Sequence, residues 1–316
     1  GGTGAAGTLT VAGDLQLDTG SSLQIELGGT TAGLYDKLAV TGTVLDSGPS
    51  FGSSFGGLSL SRINGHTFTS AAGDAYLLLT AASGADSGTF NAPSLARTTL
   101  NSAYTPTSYT LTVTPLTLTV NANALNKVYG TADPTLTYSA TGLDGSDTVG
   151  TALSGLLART AGSNAGTYAI NQGALVSPLG YAINFTGANF TITPATLTVT
   201  GLSGVDRLYN STAVVGLAGS ATLVGVAGGD GVNLSLANTT GGTFGDKNAG
   251  NNKPVTTSIT LGGTAAGNYP LTPPSLTANV TPATLTVTGL SGVDRTYNAT
   301  TLAPLGGTAT LSGAQG

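Results

Sequence analysis

The stretch Thr193-Pro194-Ala195-Thr196-Leu197-Thr198-Val199-Thr200-Gly201-Leu202-Ser203-Gly204-Val205-Asp206-Arg207 returns letter for letter at Thr281 to Arg295, and in weaker form at Thr114-Pro115-Leu116-Thr117-Leu118-Thr119-Val120. Self-similarity on this scale marks a tandem array, built to span distance or present surface. The prolines are spaced by 194 − 115 = 79 and 282 − 194 = 88 residues, a comfortable size for small β domains. Other landmarks keep this register. Tyr129 lies 129 − 115 = 14 after its proline, and Tyr209 and Tyr297 lie 209 − 194 = 15 and 297 − 282 = 15 after theirs. Each has a basic residue two positions earlier: Lys127, Arg207 and Arg295. Tyr181 and Tyr269 sit 194 − 181 = 13 and 282 − 269 = 13 before the next proline, and Asn164-Ala165-Gly166 matches Asn248-Ala249-Gly250.

Apolar side chains alternate on both sides of each proline: Tyr109/Leu111/Val113 then Leu118/Val120, Phe190/Ile192 then Leu197/Val199, Leu276/Ala278/Val280 then Leu285/Val287. The offset across the proline is odd each time, since 118 − 113, 197 − 192 and 285 − 280 all give 5. In an extended chain an odd offset turns side chains to opposite faces. One segment is therefore expected to bury one face in the unit it leaves and the other in the unit it enters, with the proline at the crossover where no ladder bond is lost. Such joints leave little flexible linker and predict an elongated, semi-rigid rod.

Composition narrows the class. Of 316 residues 7% are charged and 40% hydrophobic, glycine numbers 49, and Glu26 is the only glutamate. Long soluble helices lean on Glu, Lys and Arg for their exposed faces, whereas Thr, Val, Leu and Tyr are strand formers, so the chain reads as all-β. A net charge of −5 provides no basic stripe for nucleic acid. No apolar run approaches the roughly 18 residues of a membrane-spanning helix. The absence of cysteine removes disulfides, thiolate nucleophiles and Cys-ligated metals, and suits a chain exported unfolded. Gly1 reads as the middle of a longer protein, and the third repeat as breaking off at Gly316.

Residues 1 to about 60 show short period-two runs (Leu9/Val11, Leu15/Leu17, Leu23/Ile25/Leu27, Leu38/Val40) separated by polar breaks such as Asp18-Thr19-Gly20-Ser21-Ser22. Short strands with tight turns suit coils of a parallel β-helix. A hairpin meander would show a similar pattern, but no Asn-Gly or Asp-Gly turn joins the runs. The less regular Phe68–Phe90 stretch is a candidate cap, and Ala92–Thr107 reads as a polar connection. The expected order is the C-terminal part of a β-helical shaft with cap (1–112), two small β domains (113–193 and 194–281), and the start of a third (282–316).

Lys127-Val128-Tyr129-Gly130 with Asp133-Pro134, followed by Arg159-Thr160-Ala161-Gly162-Ser163-Asn164-Ala165-Gly166-Thr167-Tyr168-Ala169-Ile170, resembles the MBG (YGX-type) domain. The Tyr209 motif, Gly245-Asp246-Lys247-Asn248-Ala249-Gly250-Asn251-Asn252-Lys253 and Gly267-Asn268-Tyr269 resemble the YDG domain, although Tyr-Asp-Gly-Thr-Thr reads Tyr209-Asn210-Ser211-Thr212 here. The first 100 residues are similar, more loosely, to the end of a β-helical passenger. The resemblance implies a large exported Gram-negative surface protein of the filamentous-haemagglutinin-like adhesin type, with an outer-membrane export partner and a host or neighbouring-cell surface as its target. It also implies β-grasp or immunoglobulin-like domains and carries over no catalytic residue.

No catalytic, cofactor-binding or metal-binding residue stands out. His66 is the only histidine. Asp144-Gly145-Ser146-Asp147 has the oxygen density of a calcium loop without its spacing or its closing Glu, and reads as a solvated turn. Gly228-Gly229-Asp230-Gly231-Val232-Asn233 is a lone copy of a calcium-nonapeptide-like run. The candidate surface contacts are Tyr129, Tyr209, Tyr269 and Tyr297. The expected role is a structural stalk, not an enzyme, that projects an adhesive region. A glycan- or host-protein-binding β module is the alternative. A β-helical polysaccharide-degrading enzyme is a second, which would require clustered carboxylates across a groove.

Overall fold

The computed structural model of the chain describes residues 5–46, 54–63, 66, 68, 73–86, 88–91 and 93–315. Parts of the candidate cap, at 69–72 and 87, lie outside them, as does Gly316. Strand accounts for 52% of the chain and helix for 4%, so the protein is all-β. Among the described residues no helix is long and apolar enough to cross a membrane. The chain forms two compact units: Gly1–Leu125 with Thr135–Ala161 and Tyr168–Phe190, and Asn126–Pro134 with Gly162–Thr167 and Thr191–Gly316.

In the first unit, the early strands pair in parallel. Thr8–Val11 pairs Lys37–Val40, which pairs Asp74–Thr80; Leu15–Leu17 pairs Val44–Asp46; Ser22–Leu27 pairs Ser54–Arg62, which pairs Thr89–Asn91. Hairpins join antiparallel strands only, so the meander is excluded for this stretch. Of the period-two apolar residues read from the sequence, Leu17, Ile25, Leu27, Leu38 and Val40 turn inward and Val11, Leu15 and Leu23 pack against them, whereas Leu9 stays 61% exposed. Ile25, Leu27, Leu38, Val40, Leu78 and Leu79 share one buried cluster. Each contributes roughly 1.5–3 kcal/mol relative to exposure.

Direction then changes. Ser108–Pro115 runs antiparallel to both Asp74–Thr80 and Thr98–Thr105. Ala92–Thr107 is thus not simply a polar connection. Its Thr98–Thr105 half is a strand, because Leu100 and Tyr104 pack on the buried cluster and Tyr104 stacks on Tyr109 at 4.6 Å. Beyond Pro115 the buried residues change face. Tyr109, Leu111 and Val113 belong to that cluster, whereas Val120, equally buried, has Ala140 and Phe185 as ladder partners.

Residues 117–193 form two sheets. One orders Tyr138–Thr141, Thr117–Ala122 and Ala182–Thr186; the other orders Leu125–Val128, Ala188–Thr193, Gly166–Asn171 and Ala158–Arg159. The helix in this module, Val149–Ala152, is one turn long. No helical layer is present, and strands close the core.

In the second unit one seven-stranded sheet orders Arg207–Leu208, Leu276–Thr281, Gly250–Thr257, Gly241–Phe244, Val214–Val224, Leu197–Gly204 and Leu271–Thr272. The antiparallel ladder between Leu197–Gly204 and Val214–Val224 slips between Thr200 and Leu202. There Gly201 (φ +81) and Gly219 (φ +96) face each other, and a Cβ on Gly219 would lie 2.1 Å from the Gly201 carbonyl oxygen. The left-handed backbone and the close approach both require glycine. The identical stretch from Thr281 reproduces this bulge: Thr286–Gly292 pairs Leu305–Ser312 with the same slip, and Gly289 and Gly307 hold positive φ.

Candidate functional site

The loop Asp144–Asp147 is a turn in which the Asp147 N–H donates to the Asp144 carbonyl at 3.0 Å. The Asp144 N–H donates to the Tyr181 hydroxyl at 2.9 Å, and that hydroxyl donates to Asp147 Oδ2 at 2.5 Å. Into this pair reaches Arg97, from the segment preceding the proline. Its Nε and Nη2 bind Asp147 Oδ2 and Oδ1 at 2.6 and 2.8 Å, a bidentate fork. The Arg97 N–H donates to Asp144 Oδ2 at 2.9 Å, and its carbonyl receives the Leu116 N–H at 2.9 Å. Arg97 takes φ 63 to do this, the sparsely populated left-handed region. The hydrogen bonds from Arg97 and then Tyr181 hold the Asp147 carboxyl down at about 2. Burial first, then the bond to Asp147, push the Tyr181 phenol up.

The second module repeats the arrangement. The Asp230 N–H donates to the Ala227 carbonyl at 3.2 Å; the Ala227 N–H donates to the Tyr269 hydroxyl at 3.0 Å; that hydroxyl donates to Asp230 Oδ2 at 2.6 Å. Asp147 and Tyr181 thus correspond to Asp230 and Tyr269. Here the incoming side chain is Tyr129, whose hydroxyl donates to the same Oδ2 at 2.8 Å and whose ring meets Tyr269 edge-on at 5.3 Å and 83°. Beside it Asn268, 5% exposed, accepts the Ala165 N–H at 2.8 Å and donates to Asn164 Oδ1 at 3.3 Å. Tyr269 is pushed up to about 12, by burial first and then by Asp230. Tyr129 is raised chiefly by its bond to Asp230. All these residues lie within the C-terminal compact unit.

Each site is a socket: an aspartate that closes a tight turn three residues after its first residue, a tyrosine that bridges that first residue's N–H to the carboxylate, and one side chain from the preceding segment. The chemistry is recognition by charge-assisted hydrogen bonds. Among the described residues no group of three or more His, Cys, Asp or Glu is placed to hold a metal ion. Of the four candidate surface tyrosines, the structure brings Tyr129 and Tyr269 together. Tyr269 is a correction, because at 6% exposure its hydroxyl and ring are taken up inside the joint. Tyr209 is half-buried, its N–H bonded to the Thr281 carbonyl at 2.8 Å, and Tyr297 is 89% exposed. The paired basic residues do not stack on these rings. Lys127 bonds Asp133 and the Thr131 carbonyl, Arg207 lies over Phe244, and Arg295 bonds Asn298 and Thr300.

Sequence reasoning missed Arg97, Asp147, Asp230 and Asn268. The two loops that look faintly like calcium loops are the two sockets. The signal was partial: the aspartates lie at unequal distances past a proline, 147 − 115 = 32 and 230 − 194 = 36 residues, and only the tyrosine, 13 before the next proline, keeps one register.

No curated protein and no solved structure matches the chain. The family model of the MBG domain (YGX type) matches residues 118–191, and that of the YDG domain matches residues 193–277. The chain therefore carries a segment similar to the MBG domain and, one residue later, a segment similar to the YDG domain, with the Asp147 socket in the first and the Asp230 socket in the second.

Proposed function

We propose that this chain is a structural repeat region of an exported bacterial surface adhesin of the filamentous-haemagglutinin-like type, in which the end of a β-helical shaft leads into MBG-like and YDG-like modules that hold an adhesive region away from the cell. One observation carries the reading: residues 126–134 and 162–167 of the MBG-like segment belong to the compact unit of the YDG-like one. A module that takes residues from its predecessor leaves no long free linker after it, which is what a stalk requires. The parallel pairing of the first strands and the cysteine-free composition support the shaft and the export of an unfolded chain. Secretion through an outer-membrane partner and attachment to a host or neighbouring cell belong to the same proposal. Tyr129 and Tyr269, two of the four candidate surface contacts, are engaged with Asp230 instead.

Small-angle scattering on the whole chain tests this. A stiff particle is expected, whose longest dimension shortens or broadens in distribution when Tyr129 and Arg97 are both replaced by alanine. A wild-type chain that already scatters as freely rotating beads removes the basis for a stalk.

A further inference from the structure

The second module presents its far end in the way that the first presents its own. Tyr129 donates its N–H to the Thr193 carbonyl at 2.8 Å, and Tyr209 to the Thr281 carbonyl at 2.8 Å. The Thr193 hydroxyl donates to the Lys127 carbonyl at 3.1 Å, and the Thr281 hydroxyl to the Arg207 carbonyl at 3.4 Å. In each turn the basic residue two positions before the tyrosine clamps the backbone just after it: Lys127 Nζ on the Thr131 carbonyl at 2.8 Å, and Arg207 on the Thr212 carbonyl and the Asn210 side chain. The neighbouring loop is matched as well. Asn164-Ala165 meets Asn268, and its counterpart Asn248-Ala249 is exposed. Lys253 Nζ holds that loop by the Asn248 carbonyl at 2.6 Å and Asp246 Oδ1 at 2.6 Å. A tyrosine and a loop in the same register already seat in a socket at the first module, so the equivalent pair offers the same hydrogen-bond donors, with the Tyr209 ring resting on its own module's core beside Val215 and Phe244.

We infer that Tyr209 and the Asn248-Ala249 loop form a docking face whose partner is another YDG-type module, recognised through a socket of the kind built by Asp230, Tyr269 and Asn268. The Tyr209 hydroxyl donates to the partner's socket aspartate, and the Ala249 N–H donates to the amide oxygen beside the socket tyrosine. The inference is independent of what the array holds or binds.

The test is an extended chain in which a second copy of residues 229–281 follows Gly316. The register is correct, since 316 − 282 = 34 and 228 − 194 = 34, and the hairpin after Pro282 already pairs as its counterpart does. Hydrogen exchange is compared with the 316-residue chain. Exchange at Ala249 is expected to slow about tenfold or more, the effect of one protected contact. Tyr209→Phe, or Asp→Asn at the added copy of the Asp230 position, is expected to remove most of that slowing. Unchanged exchange at Ala249 overturns the inference, as does slowing that survives both substitutions. An added segment that shows no protected amides also overturns it, because the face then fails to seat a module.

Discussion

Replacing Asp230 by alanine deletes the acceptor of two phenols at once, Tyr269 at 2.6 Å and Tyr129 at 2.8 Å. A hydrogen bond to a charged group contributes about 1.5–3 kcal/mol net. Asp230 and Tyr129 are half-buried, so water replaces part of the loss, and a cost of about 2–4 kcal/mol is expected. Tyr269 keeps the N–H donated by Ala227, but its own proton is left in a buried place without an acceptor. Tyr129→Phe removes one of the two bonds and keeps the ring contact, at a cost of about 1–2 kcal/mol. In the double variant the phenol and carboxylate can be lost only once, so the two costs should fall short of additivity by about 1 kcal/mol or more. The assay is denaturant unfolding of the whole chain with hydrogen exchange read within residues 193–277, since a multi-module chain need not unfold in one step. Additivity within about 0.3–0.5 kcal/mol would refute the joint as an energetic link across 230 − 129 = 101 residues.

Letter-identical positions should behave differently. Leu197→Ala is expected to cost about 2–5 kcal/mol, because Leu197 is fully buried. Leu285→Ala, at a position 53% exposed, should stay within about 0.5 kcal/mol in thermal denaturation. Gly219→Ala should cost on the order of 3 kcal/mol from positive φ and overlap with the Gly201 carbonyl, while Gly228→Ala, with open space around it, should be nearly silent; equal melting temperatures would refute the bulge argument. Stability should also fall at alkaline pH. An unfolded phenol ionises near pH ~10 and Tyr269 in the fold near about 12, so its contribution is complete below the first value and lost as pH rises toward the second. A Tyr269→Phe chain should show a flatter alkaline limb in melting temperature against pH. The acid limb has the opposite sign: Asp147, at about 2 in the fold against ~3.9 unfolded, stabilises above the unfolded value and loses this as pH falls toward 2. Asp147→Asn should flatten that limb.

The strands and their inward faces were legible because period-two alternation is a local property: Leu38 and Val40 turn inward wherever the segment is extended. The bulge was not read: Gly201 and Gly289 recur within the exact repeat, but their counterparts Gly219 and Gly307 lie beyond it. The sockets were not. Asp147 and Tyr181 lie 34 residues apart, and Arg97 and Asp147 lie 50 apart. A carboxylate in a Gly/Ser-rich turn looks the same on paper whether water or a guanidinium faces it.

The Thr-Pro-Ala-Thr-Leu-Thr-Val repeat separates the two levels of information. By itself the sequence determined the hairpin, because the ladder register and the paired positive-φ glycines depend only on residues within one copy; Thr200 meets Thr222 as Thr288 meets Thr310, each at 2.9 Å. Only the tertiary structure decided what the hairpin buries and which side chain enters which socket. Leu197 and Leu285 have the same neighbours in sequence, yet one is sealed against Ala265 and Tyr269 and the other is exposed. Burial and charge-assisted pairing depend on atoms brought in from distant segments, and local sequence carries no record of that approach.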